Sequence, residues 1–215
     1  ANIFDAAALR DLSAQLDFIE KETALKGVIV TSAKKSIFVA GADLQTLLRQ
    51  AQAGEMRAFI AEGQRIFNRL AALKIPTVAA IHGACAGGGY EIALACDHRV
   101  ASDAPATRIG LPETTLGLVP AWGGATRLPR LIGEGMAREL AYTARKFDGA
   151  EAKEMRLVNR VFESHEALRA GVREIAATIA AKSPLSVRGT KEMINYARYH
   201  SVADGLNYVA TLNAA

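Results

Sequence analysis

The chain has 215 residues, half of them hydrophobic, and carries 26 Lys and Arg against 22 Asp and Glu for a net charge of +4. That length and apolar content are enough to bury a sizeable core and exclude a disordered chain. Two cysteines, Cys85 and Cys96, give no disulfide framework. No apolar run reaches the ~20 residues of a bilayer crossing, and the scattered basic residues have few aromatic partners to stack bases. An anionic small molecule therefore explains the charge balance as well as nucleic acid would.

The elements follow in chain order. Leu9, Leu12, Leu16 and Ile19 recur at steps of three and four behind Asp5, predicting an amphipathic helix over 5–21 with Asp5 as its N-cap. GVIVTS (27–32) reads as a buried strand, and SIFVAGADL (36–44) as a second strand running into a turn and a helix. Apolar positions from Phe59 to Leu73 mark a long helix that stops before Pro76, and TVAAIHG (77–83) is the next buried strand. Three consecutive glycines, Gly87 to Gly89, then lead into a short buried helix over 88–96, followed by a strand at HRVAS (98–102). The segment RIGLPETTLGLVPAWGGATRLP (108–129) is punctuated by Pro and Gly and reads as loops, where sites concentrate. Asp148 and Glu151 form a D-x-x-E capping box, Ser183 before Pro184 is a second helix start, and the chain is helical from about residue 163. The expectation is an α/β core with the site over residues 1–162, followed by a helical part over 163–215.

The triglycine, in GACAGGGYEIALACD (83–97), invites a ligand to approach bare backbone at a helix N-terminus, where N–H groups lack partners. Two phosphate-binding readings fail: G-x-G-x-x-G would need glycine at Ile92, and a P-loop would need lysine at Gly89. Glu91, in the first turn of an otherwise apolar helix, is costly to bury without a partner, although it also complements the helix dipole. A competing reading takes Gly83-Ala84-Cys85-Ala86-Gly87 as a nucleophile elbow with Asp103 and His165 as partners, which would make the protein a cysteine-dependent α/β hydrolase. The four histidines, His82, His98, His165 and His200, show no metal-ligand spacing, so no metal site is expected.

The blocks FVAGADL, IHGACAGGGYEIALACD and RIGLPETTLGLVPAWGGATRLPRLIG together strongly resemble the enoyl-CoA hydratase/isomerase, or crotonase, family. The resemblance implies a spiral of ββα units followed by a helical trimerisation region. It implies an acyl-CoA thioester whose carbonyl oxygen lies between the backbone N–H groups of Ala42 and Gly88. Glu91 would then help activate a water for attack at Cβ, and Glu113, in GLPETTLG, would deliver a proton to Cα. The backbone at Ala40 would meet the adenine, Lys35 the CoA phosphate, and Asp43, Gly87, Ala121 and Trp122 would lie about the substrate, with Asp43 also capping the following helix.

The activity so implied is hydration of a trans-2-enoyl-CoA to a 3-hydroxyacyl-CoA. A double-bond isomerase, leaning on Glu113 alone, is the alternative within the family, and a noncatalytic role such as RNA binding is one outside it. No cofactor is expected, because coenzyme A belongs to the substrate. The family also implies homotrimers that pair as hexamers, in the cytoplasm for a bacterial protein or in the mitochondrial matrix or peroxisome for a eukaryotic one. The 22-residue spacing of the two acids is similar to that in the hydratase domain of multifunctional fatty-acid oxidation enzymes, although continuation into a dehydrogenase is not expected from the tail. Relatives run some 40 residues longer, and their first strand and last helices are expected to be missing here.

Overall fold

The computed structural model describes residues 2–214. Helix α1 (Ala6–Lys21) begins at Asp5, whose carboxylate accepts from the Ala8 N–H at 2.7 Å. Strands β1 (Val28–Val30) and β2 (Ile37–Val39) follow, then helices α2 (Leu44–Gln52) and α3 (Met56–Ala72). The pattern repeats with β3 (Thr77–Ile81), β4 (Ala84–Ala86) and α4 (Gly88–Ala95), and again with β5 (His98–Ser102), β6 (Arg108–Gly110) and α5 (Gly124–Ile132). Helices α6 (Glu134–Thr143) and α7 (Gly149–Glu154), strand β7 (Arg160–Phe162) and helices α8 (His165–Ala180), α9 (Pro184–Tyr196) and α10 (Val202–Ala214) complete the chain.

The strands sort by turn of the spiral. Odd-numbered strands form one parallel sheet in the order β1-β3-β5-β7, and even-numbered strands form a second in the order β2-β4-β6. Each ββα unit therefore adds one strand to each sheet, which is the architecture the resemblance implies. Parallel strands covered on both faces read as continuous apolar runs, and all five residues of β3 are buried. Helix α4 is the axis of the packing, with all eight of its residues buried.

Two parts of the chain differ from the sequence reading. The segment expected as loops contains β6 and α5: three-residue strands are too short to show a period, and α5 is disguised by the Gly pair at its start and by Pro129 inside it. Helix α8 lies on the back of the odd-numbered sheet, where Leu168, Val172 and Ile175 pack on Val78, Ala80 and Val100. A boundary drawn at residue 162 thus passes through one packed unit. Beyond it, α9 and α10 bury no residue fully and pack on each other; Lys191 ties α9 to the body through Asp97 (2.7 Å) and the Ile75 carbonyl (3.0 Å). Among the described residues no helix is long and apolar enough to cross a membrane.

The crossing of α4 over β2 depends on Gly89, where a Cβ would overlap the Val39 carbonyl. Backbone cannot step aside as a flexible side chain can, so Gly89→Ala is expected to cost ~3 kcal/mol in a denaturant melt. Gly205→Ala, at a helical position with nothing within 4 Å of an added Cβ, should instead raise stability by ~0.5 kcal/mol.

Candidate active site

Three segments distant in sequence meet at one cavity of about 400 Å³: the turn leaving β2, the triglycine at the start of α4, and the loop from Pro112 to Trp122. The first is shaped by residues near the amino terminus. Phe4 N–H donates to the Gly41 carbonyl at 2.8 Å and Asp43 N–H donates to the Phe4 carbonyl at 2.9 Å. In such a parallel bridge the amide of the intervening residue points the other way. Ala42 N–H accordingly has no hydrogen-bond partner among the described residues, and Ala42 lines the cavity.

The second segment holds another unpaired amide. Gly88 is the first residue of α4, so its N–H precedes any intrahelical acceptor and remains without a partner among the described residues. The two turns are in contact, since a Cβ on Gly41 would lie 3.8 Å from the Gly88 nitrogen. Gly87 has φ +51°, and a Cβ there would lie 2.8 Å from Oε1 of Glu113. At Gly88 the first obstacle to a side chain is the protein itself, because a Cβ would sit 2.8 Å from the Trp122 ring. Sequence reasoning attributes that glycine to substrate clearance, whereas the structure shows indole packing as well.

Both glutamates line this cavity. Glu91 is 2% exposed, and its Oε1 accepts from the N–H groups of Trp122 and Gly124, each at 2.8 Å. Gly124 opens α5, so the carboxylate sits at that helix's positive end. Burial is nevertheless the larger effect: together with the nearby charge of Glu113 it outweighs the two N–H groups and pushes the Glu91 pKa up to about 7. Burial also raises Glu113, whose Oε2 is enclosed without a hydrogen-bond partner. One acid is clamped by backbone and the other has an uncommitted oxygen, a pairing suited to proton exchange near neutrality.

The remaining sequence-derived residues divide. Ala40, Ala121 and Trp122 border the cavity with Gly87. Trp122 is also core, 4% exposed with Phe4, Phe59 and Phe67 packed edge-on at 5.5 to 5.8 Å. Asp43 and Lys35 lie outside the cavity wall. Asp43 caps α2, accepting from Thr46 N–H at 2.9 Å and Thr46 Oγ1 at 2.7 Å, and Lys35 is exposed on the bend before β2. The cysteine-elbow reading fails on geometry. Cys85 is the middle residue of β4 without the positive φ of an elbow, and its buried thiol lies against the Gly89 carbonyl at 3.5 Å with its pKa raised by burial. His165 stacks on His82 with 3.7 Å between ring centroids and makes no bond to Cys85. Sequence reasoning missed the amides of Trp122 and Gly124; the signal present was a Gly pair opening an amphipathic helix.

The shift of Glu91 is also a stability statement. Its folded-state value lies above the usual 4.5, so the contribution is full below about pH 4.5 and is lost as pH rises through 7. In Glu91→Gln the amide oxygen can still accept from both N–H groups. The variant is expected to gain stability relative to the parent by as much as ~3 kcal/mol between pH 4 and pH 8, measured by paired urea melts across that range.

Comparison with known proteins agrees with this geometry. The family profile described as enoyl-CoA hydratase/isomerase matches residues 1–212. The chain is 42% identical over 185 residues to the fatty acid oxidation complex subunit alpha of Shewanella baltica; the match takes in 86% of this chain but 26% of that protein, so the chain spans about a quarter of its relative's length. Among solved structures it is similar to an enoyl-CoA hydratase from Bacillus anthracis, with TM-score 0.91 and 37% identity over 98% of this chain and 80% of the other. A putative enoyl-CoA hydratase from Thermobifida fusca in complex with CoA gives TM-score 0.88 at 29% identity, covering 99% of this chain and 83% of that one. With the stacked ββα units, the matching profile and these relatives in agreement, the chain belongs to the enoyl-CoA hydratase/isomerase family.

Proposed function

We propose that the protein hydrates a trans-2-enoyl-CoA to the 3-hydroxyacyl-CoA. The observation that carries this reading is the meeting, in one cavity, of two partnerless amides from separate turns with two glutamates, one buried and one half-buried. The thioester oxygen accepts from Ala42 N–H and Gly88 N–H. As the water oxygen bonds to Cβ, the π pair shifts toward Cα and negative charge grows on that oxygen, where the amides and the positive end of α4 stabilise it. Glu91 as carboxylate takes a proton from the water, and Glu113 as carboxylic acid gives one to Cα. The pair resets by returning one proton from Glu91 to Glu113. These steps use the thioester and the protein's own groups, and CoA enters as part of the substrate. Apolar side chains including Met56, Ile60 and Leu118 line the same cavity and supply a surface for the acyl chain.

The test is loss of enoyl thioester absorbance with crotonyl-CoA. Glu91→Gln and Glu113→Gln are each expected to lower kcat by ~100-fold or more. The parent's kcat/KM should fall on the acid side with an apparent pKa near the value of about 7 at Glu91, which must be ionised to act. Full activity in either variant overturns the two-acid mechanism. An isomerase would instead keep its rate in Glu91→Gln and depend on Glu113.

We also propose that copies associate as trimers or pairs of trimers. Leu185 (78% exposed), Ile194 (60%), Val202 (81%) and Leu206 (64%) leave a strongly apolar surface on α9 and α10. Sedimentation equilibrium should return three or six chains, and a monomer at micromolar concentration would remove the proposal.

A further inference from the structure

A second cleft, of about 270 Å³, lies between α3, α5 and the turn before α10. It shares Ala121 and Trp122 with the acyl cavity but has opposite chemistry. Arg127 and Arg130 of α5 enter it, with Asn68 of α3 and Tyr199 from the turn. Arg127 donates to the Trp122 carbonyl (3.2 Å) and to Oδ1 of Asn68 (2.6 Å), and Arg130 donates to the Tyr199 hydroxyl (2.9 Å) with its guanidinium 4.7 Å from that ring's centre.

Neither arginine has an acid partner. Arg65, Arg69 and Arg145 each pair with a carboxylate within 2.8 Å, whereas among the described residues no Asp or Glu lines this cleft or bridges to Arg127 or Arg130. The backbone carbonyls at the cleft and Asn68 Oδ1 are already engaged: the Ala121 carbonyl by Gln64 at 2.8 Å, the Trp122 carbonyl and Asn68 Oδ1 by Arg127, and the Gly123 carbonyl by Arg127 N–H at 2.7 Å. The donors are in surplus, since the Asn68 amide N–H groups, the Tyr199 hydroxyl hydrogen and most guanidinium N–H groups have no partner. Burial is the main cause that lowers the Arg127 pKa; the positive charges of Arg198 and Arg130 add to it, and the Glu91 carboxylate behind the cleft wall opposes it without bridging to the guanidinium. Two planar donor forks facing a space of this size suit a carboxylate.

We propose that this cleft binds a carboxylate, either the far carboxyl of a dicarboxylic acyl-CoA whose thioester occupies the neighbouring cavity or a free small dicarboxylate. The first source rests on the acyl-CoA reading of the site, and the second does not. Calorimetry separates them without turnover, using the saturated thioesters adipyl-CoA and hexanoyl-CoA, and free adipate, on the parent, Arg130→Gln and Arg130→Lys. Tighter binding of adipyl-CoA than of hexanoyl-CoA by ~10-fold or more, lost in Arg130→Gln and partly kept in Arg130→Lys, assigns the acyl tail. Adipate binding that depends on Arg130, with no preference between the thioesters, assigns the free anion. Adipate binding with neither thioester bound also supports the cleft while removing the acyl-CoA reading. Equal binding of the two thioesters with no adipate binding overturns the proposal, as does an Arg130→Gln variant whose only change is its sedimentation.

Discussion

The structure depends on holding one carboxyl group where water barely reaches it. Glu91 is 2% exposed in the middle of the most buried helix, and the cost of desolvating it exceeds what two backbone N–H groups return. That balance ties distant parts together. The N–H groups come from Trp122 and Gly124, so the start of α5 must lie on α4 for Glu91 to be accommodated at all. The same constraint leaves an acid whose proton is exchangeable near neutral pH, which an exposed glutamate in water would not be.

The bare backbone around it serves packing and chemistry at once. The opening of α4 is free of side chains partly because Trp122 and the Glu113 carboxyl press against it. The indole is held in place by Phe4, Phe59 and Phe67. Those rings come from the amino terminus and α3, so the wall of the cavity is an extension of the hydrophobic core. A wall built this way is rigid because close-packed aromatics have few alternative arrangements. The partnerless amides follow from topology: one belongs to the residue between two ladder bonds, the other to the first residue of a helix. Neither depends on the identity of a side chain, which is why alanine and glycine suffice there.

The sequence was most legible where a period or a cap marked it. The helices begun by Asp5 and Ser183 and the strand at 98–102 stand close to where they were expected, and Asp148 accepts from Glu151 N–H as its capping motif implies. Strands β4 and β7, of three residues each, and α5 with its Gly pair and internal proline were not legible. In those places pairing and packing stabilise structure that local propensity does not indicate. The packing of α8 was not legible for the same reason, because it is bound to the sheet by contacts that only the fold creates.

From its sequence alone, the chain determined that bare backbone precedes a buried acid, that a second acid follows 22 residues later, and that the motif blocks are those of a known family. Each of these is a matter of order along the chain. Tertiary structure decided which amides lost their partners, which backbone groups hold Glu91, that Asp43 caps a helix outside the cavity wall, and that Cys85 is a strand residue. It also gathered Arg127, Arg130 and Tyr199, which are separated by up to 72 positions, around one cleft. Hydrogen-bond satisfaction and desolvation are properties of enclosed space, and that space exists only after strands far apart in the chain have paired.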